Sequence, residues 1–143
     1  MFAGVPVEIN TRGICCLKPG VPGVSENIRV VSIVGRFLEH SRIYSFERGG
    51  DDTVYIGSAD LMPRNLDTRV ELLTPIREET LRGDLIDTLD RCFADNVNSW
   101  ELDNQGAWTR RSPGSSEPRS VQRELMAAHA AAAAEASAAK PRE

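Results

Sequence analysis

The sequence predicts an α/β domain of the α+β kind, followed by a tail that lies outside the core. Short segments in which apolar and polar residues alternate, as they do in strands, occupy the first half of this 143-residue chain. A later segment repeats leucine or phenylalanine at every fourth residue, as an amphipathic helix does. The last segment is rich in alanine, which favours helices but has little apolar area to bury.

The first strand is predicted within VPVEINTRGICCL and should end near Arg12 and Gly13. The following KPGVPGVSENI is predicted to be a loop, because its prolines and glycines interrupt any regular element. Two alternatives remain for IRVVSIV. Its β-branched residues favour a strand, whereas Ser25 and Glu26 before it are able to begin a short helix.

A hairpin is predicted next, with RIYSFE and DTVYIGSA as its strands and RGGDD as its turn. The segment DLMPRNLD is predicted to be a loop around Pro63. A further strand is expected in TRVELLTPI, where Pro75 should stop it.

The clearest helix is predicted over residues 77–95, with acidic residues in its first turn, where the helix dipole favours them. Its apolar stripe is expected to cover the sheet as part of the core rather than to bind a cofactor. A small hairpin, SWELDNQGAWTRR, should follow, with its tryptophans as packing residues. The members of the stripe are Leu81, Leu85, Ile86, Leu89, Cys92 and Phe93.

A change of composition after residue 111 predicts a boundary between a domain, residues 1–111, and a tail, residues 112–143. SPGSSEPRSVQ has the composition of a linker, and RELMAAHAAAAAEASAAK is of low complexity. The tail is therefore expected to be disordered or a frayed helix, and deleting it should leave the melting temperature almost unchanged. His129 within it is assigned no role.

Composition argues against several classes of protein. The net charge of −4 disfavours a nucleic-acid-binding function, and no apolar run is long enough to span a membrane. Cys15, Cys16 and Cys92 form no zinc-binding spacing, so no metal site is expected within the chain. Reduced thiols and the lack of a leader-like start predict a cytoplasmic protein. Most basic residues of the first half are arginines, which suit bidentate phosphate binding.

Residues that suit phosphate chemistry fall at the ends of the predicted hairpin strands, where a sheet holds loops rigidly. His40 and Arg42 precede the first strand, and Ser58 and Asp60 follow the second. A histidine can attack phosphorus or protonate a leaving oxygen, and a fixed cation neutralises the phosphate oxygens. A structural role for His40 is an equal alternative at this point.

The hairpin resembles the signature of the phospholipase D superfamily, His-x-Lys-x-x-x-x-Asp followed by Gly-Ser-x-Asn. In this sequence Arg42 stands for lysine, Glu47 for aspartate and Asp60 for asparagine.

A longer resemblance runs from about Val5 to about Arg110. The blocks RGICCLKPGVPG, IVGRFLEHSRI and YIGSADLMPRNLD are similar to the C-terminal catalytic domain of bacterial polyphosphate kinase, the phosphohistidine-forming type. The resemblance implies a phospholipase D-like fold, a mixed sheet covered by helices. The sequence departs from the family at two positions. The family usually has tryptophan at the position of Leu61 and often has an aromatic residue at the position of Ser45.

The resemblance also implies a function. The family reversibly transfers the terminal phosphoryl group of ATP to polyphosphate, with Mg²⁺ bound to the nucleotide. The family's arginine and histidine at the positions of Arg12 and His40 bind the nucleotide's phosphates, and His40 is the candidate catalytic residue. Strand-end position and chemistry add supporting candidates, which are Arg42, Ser58, Asp60, Arg64 and Asn65.

Much of the family enzyme has no counterpart here. Its phosphorylated histidine and its magnesium ligands lie in earlier domains, and two histidines are too few for a complete site in this chain. The chain is therefore expected to be a fragment or split product that handles ATP, ADP and polyphosphate, and the missing domains of the family enzyme are its candidate partners in trans. The alternative is a non-catalytic binding module or an inactive remnant. Arg12 and His40 are expected to lie close together.

Overall fold

The structure is a computed structural model that describes residues 4–139. Its Cα positions form two compact units, one made of the chain up to Leu38 and from Arg91 onward, the other of Glu39–Asp90. In chain order the helices and strands are β1 (Val7–Asn10), β2 (Ile28–Ile33), β3 (Ile43–Glu47), β4 (Asp52–Gly57), α1 (Pro63–Leu66), β5 (Leu73–Ile76), α2 (Glu79–Ala94), β6 (Ser99–Leu102), β7 (Trp108–Arg110) and α3 (Val121–Ala139).

The first unit contains a mixed four-stranded sheet in the order β1-β2-β6-β7. β1 runs parallel to β2, and β2 and β7 each pair antiparallel with β6. Val30 and Val31 of β2 are fully buried and Leu102 of β6 nearly so, which places the core of this unit on the central strands. The open alternative for residues 28–33 is thereby resolved as a strand, in agreement with its β-branched residues.

The second unit contains an antiparallel sheet in the order β3-β4-β5. The predicted hairpin is confirmed, with Gly49 and Gly50 at positive φ in its turn and Val54 fully buried at its centre. Pro75 was expected to end the strand that follows the hairpin. Instead it lies inside that strand, β5, opposite Tyr55. β5 is the edge of this sheet, so the missing proline N–H removes no bond from the interior of the ladder.

A one-turn helix, α1, replaces the expected loop. Pro63 is its first residue, a position where the absent N–H would have had no helical partner and where the fixed φ suits the helix.

Helix α2 is confirmed, but its apolar stripe is less covered than expected. None of its residues is buried, and Leu81 is 54% exposed. Periodicity specifies that one face is apolar, but the covering of that face depends on distant residues that the pattern does not identify. The helix begins just after Glu78, whose carboxylate accepts bonds from the backbone N–H groups of Thr80 and Leu81. These two bonds lower the pKa of Glu78.

The predicted hairpin of β6 and β7 is confirmed, and Trp100 pairs with Arg110 across it. The segment after this hairpin has the composition of a linker, but part of it is buried. Ser120, Val121 and Gln122 are buried, and Glu124 forms ion pairs with Arg91 at 3.0 Å and with Arg119 at 2.8 Å.

The start of α3 is therefore packed within the first unit, a contact that the linker composition of residues 112–122 does not indicate. A linker composition does not reveal that a buried acceptor, the Asp95 carboxylate, is available to the Val121 N–H at 2.9 Å. The alanine-rich part of α3 from residue 127 to 138 is exposed. The boundary after residue 111 stays a prediction. Within residues 4–139, no helix is both long and apolar enough to cross a membrane.

Candidate phosphate-binding site

His40 lies three residues before β3 with its side chain exposed. Its exposure argues against burial in the core, whereas the alternative of a structural or capping role at the surface stays open. The backbone carbonyl of His40 accepts a hydrogen bond from Nη1 of Arg42. This bond fixes the backbone at His40, at the point where the chain enters the second sheet.

Arg42, two residues after His40, forms an ion pair with Asp60. Nη2 of Arg42 lies 2.8 Å and Nε 3.1 Å from Oδ1 of Asp60, with the side chains 19% and 26% exposed. The Arg42 carbonyl also accepts the N–H of Gly57 at 2.9 Å. The start of β3 and the residues after β4, which the sequence predicted to lie together, are therefore joined by both backbone and side chain.

Ser58 and Asn65 are brought together by Glu71, a residue that the sequence reasoning missed. The Ser58 hydroxyl donates to Oε2 of Glu71, and Nδ2 of Asn65 donates to Oε1 at 3.1 Å. Ser58 Oγ in turn accepts the backbone N–H of Leu72 at 3.0 Å. The only sequence signal was an acid inside the apolar VELL, which no pattern connects to Ser58 or Asn65.

The hydrogen bonds from Ser58 and then Asn65 hold the pKa of the Glu71 carboxyl below its ordinary value of 4.5. Partial burial opposes this, while the charges of Arg69 and Arg42 add to it. Glu71 is therefore an anion stabilised by the same groups that the sequence assigned to phosphate.

Asn65 is 4% exposed, and its Oδ1 has no hydrogen-bond partner among the described residues. A carbonyl oxygen accepts hydrogen bonds and does not attract phosphate oxygens. In this arrangement Asn65 shapes the loop through its amide donor. Arg64, its neighbour in α1, is exposed, and only its backbone carbonyl is engaged in a described bond, from Oγ1 of Thr68 at 2.6 Å.

Arg12 belongs to the first unit and lies two residues after β1, in an exposed loop. Thr11 fixes the start of this loop, because its N–H donates to the Val31 carbonyl at 2.9 Å and its hydroxyl to that of Ile14. Gly13 follows at φ +138°, a conformation that residues with a Cβ rarely adopt. The expected closeness of Arg12 to His40 stays a prediction.

The part of the chain that the structure describes has no group of three or more His, Cys, Asp or Glu residues arranged for a metal ion.

The family model described as polyphosphate kinase C-terminal domain 2 matches residues 2–122. The chain belongs to the polyphosphate kinase family. It is 52% identical over 124 residues to a polyphosphate kinase of Rhodopirellula baltica and 48% identical over 130 residues to one of Synechocystis. A crystal structure of polyphosphate kinase from Porphyromonas gingivalis superimposes on 85% of the chain with a TM-score of 0.81 at 39% identity.

These comparisons confirm the family resemblance and the α+β, phospholipase D-like fold. The alignments cover 86% and 91% of this chain but only 15% and 18% of the two relatives, and 19% of the crystallised chain. The chain thus spans less than a fifth of the length of the polyphosphate kinases it matches.

Proposed function

We propose that this chain is the nucleotide- and polyphosphate-binding C-terminal part of an ATP:polyphosphate phosphotransferase. The observation that carries the proposal is His40, exposed beside the Arg42–Asp60 pair in a domain of this family. In the proposed reaction the terminal phosphoryl group of ATP passes reversibly to polyphosphate, and ADP leaves. A cytoplasmic location is part of the proposal, since ATP is the donor.

Each candidate residue has a distinct proposed role. Arg12 binds phosphate oxygens through its planar guanidinium, which offers two parallel donors. His40 contacts the transferring phosphoryl group as a hydrogen-bond donor or as an acid or base. Arg42 and Asp60 hold the backbone at His40, and Arg64 supplies a second exposed cation.

Ser58 and Asn65 act through Glu71, because their donors are bonded to its carboxylate. Mg²⁺ enters bound to ATP and neutralises charge on the phosphates. The protein ligands of Mg²⁺ are proposed to lie in other domains of the family enzyme.

The test measures the binding of ATP and of polyphosphate to the purified chain by calorimetry, at several salt concentrations. Arg12→Ala should weaken binding by about tenfold or more, since bonds to charged groups contribute most. Arg12→Lys should cost less, because a point charge partly replaces the planar donor pair. Arg48→Ala, in the exposed turn after β3, is the matched control and should bind as the unaltered chain does.

Binding should weaken as salt rises, because the arginine–phosphate contacts are at the surface. Binding that is equal in all three variants and insensitive to salt would contradict the assigned residues.

Transfer itself should require the missing domains. The chain alone, with radiolabelled ATP, magnesium and a polyphosphate primer, should give no chain growth, because residues that act as a unit contribute non-additively. Adding the preceding domains of a related polyphosphate kinase should restore growth, and His40→Ala should abolish it. Growth without those domains would show a complete enzyme.

A non-catalytic module that binds polyphosphate or a nucleotide is the second candidate, because exposed Arg12 and Arg64 could bind phosphate without any transfer. Binding without restored transfer in the mixing experiment would identify this function.

A further inference from the structure

Gln122, in the first turn of α3, forms hydrogen bonds with the backbone of the chain segment that leads to His40. Residues 34–42, between β2 and β3, belong to no helix or strand. Within this stretch the backbone N–H of Phe37 donates to Oε1 of Gln122 at 3.0 Å, and Nε2 of Gln122 donates to the Phe37 carbonyl at 2.8 Å. The amide of Gln122 therefore pairs with both polar groups of Phe37, as a neighbouring strand would.

Gln122 is itself rigidly held. It is 5% exposed, and the preceding Val121 is 3% exposed. The Val121 N–H donates to Asp95, which is fully buried and also accepts the N–H groups of Val97 and Asn98 at 3.0 and 2.7 Å. Because Gln122 is buried, opening its part-buried pairing with Phe37 would leave the Gln122 amide unsatisfied, which is costly.

Gly35 is fitted to the same side chain. A Cβ at position 35 would lie within 2.8 Å of Cδ of Gln122 and closer still to Oε1. The φ of Gly35 is not in the positive region, so the backbone itself would accept alanine. The glycine is required by the approach of Gln122 and not by a turn.

We propose that Gln122 is a positioning residue, which fixes the backbone at Phe37 and so restricts the conformations open to the chain segment that ends at His40, three residues later. The role of His40 in binding phosphate rests on the proposed function, whereas the positioning of its segment does not.

The experiment compares Gln122→Ala with Arg123→Ala, an exposed neighbour in the same helical turn. The amide of Phe37 should exchange with solvent at least about tenfold faster in Gln122→Ala, because its acceptor is gone. The imidazole NMR signal of His40 should shift. The signal of His129, the other histidine, is the internal reference and should stay in place. Arg123→Ala should alter neither measurement.

A second pair of variants guards against simple unfolding. Gly35→Ala should displace the Gln122 amide and reproduce the faster exchange and the His40 shift. Because one contact is lost in either case, the double variant Gly35→Ala with Gln122→Ala should be no worse than Gln122→Ala alone. Additive effects of the two substitutions would overturn the inference. So would a lowered melting temperature in Gln122→Ala with an unchanged His40 signal, which marks a purely structural contact.

Titration with ATP separates this inference from the proposed function. If the unaltered chain binds ATP, Gln122→Ala should bind it several-fold more weakly, while equal binding would overturn the inference. If the unaltered chain binds neither ATP nor polyphosphate, the proposed function fails, and the exchange and NMR measurements still decide whether Gln122 positions His40.

Discussion

Two carboxylates, one in each unit, show how the same group serves different ends. Asp95 in the first unit is fully buried and accepts bonds from three backbone N–H groups, those of Val97, Asn98 and Val121. Glu71 in the second unit accepts bonds from the side chains of Ser58 and Asn65.

Backbone N–H donors are fixed by the chain, so Asp95 holds the start of α3 against residues 97 and 98 in the folded state. Side-chain donors can exchange partners, so the Glu71 cluster is able to respond to a ligand. Stability should therefore depend on the first carboxylate and the behaviour of the candidate site on the second.

Asp95→Ala is expected to have the largest effect. It leaves three backbone donors without their acceptor and frees the start of α3, at a cost of about 3–4 kcal/mol. Thermal unfolding measures this loss. Asp103→Ala is the control, because Asp103 accepts the N–H groups of Gln105 and Ala107 in an exposed turn where water can replace it. Equal losses in the two variants would contradict the structural role of Asp95.

Two truncations should come next in size. Removing residues 127–143 deletes only exposed helix from the described part and should leave the melting temperature almost unchanged. Removing residues 112–143 also deletes buried Val121 and the ion pairs of Glu124, and should cost about 2–3 kcal/mol. The small effect of the shorter truncation agrees with the dispensable tail that composition predicts. The larger effect of the longer truncation differs from that prediction, because the start of α3 is buried. Truncations with equal melting temperatures would show that the start of α3 contributes nothing.

Glu71→Gln should have the smallest effect, visible as a dependence on pH. The pKa of Glu71 is lowered in the folded chain, so its contribution to stability is fully present above its ordinary value of 4.5. That contribution is lost as the pH falls through the folded pKa.

The difference in melting temperature between the unaltered chain and Glu71→Gln should thus shrink from neutral pH to about pH 3. Glu79→Gln, at the exposed first residue of α2, controls for the loss of a surface charge. A difference that is constant over this range would contradict the proposed cluster.

Local patterns predicted most of the elements. The paired glycines between β3 and β4 indicated their turn, and the four-residue repeat indicated α2, because both signals depend on neighbours in sequence. Pro75 inside β5 was missed, since the sequence does not reveal which strand is at the edge.

The candidate site stays a prediction, made from residue types and a family resemblance, and the structure adds the contacts among its residues. His40 and Arg12 were identified through chemistry and a family resemblance, whereas Glu71, Asp95 and Gln122 were not. Their partners are distant in sequence, and no spacing rule connects a lone carboxylate or amide to a backbone group far along the chain.

The division of the first unit into two chain segments has a consequence for synthesis. β2 is a central strand, yet its antiparallel partner β6 is translated only after the whole of Glu39–Asp90. The three strands of the second unit, by contrast, pair only with one another and in sequence order. On the ribosome the second unit is therefore able to fold first, while β2, already able to pair with β1, still lacks its second partner strand, β6. A nascent chain paused before residue 99 would expose this apolar strand to chaperones.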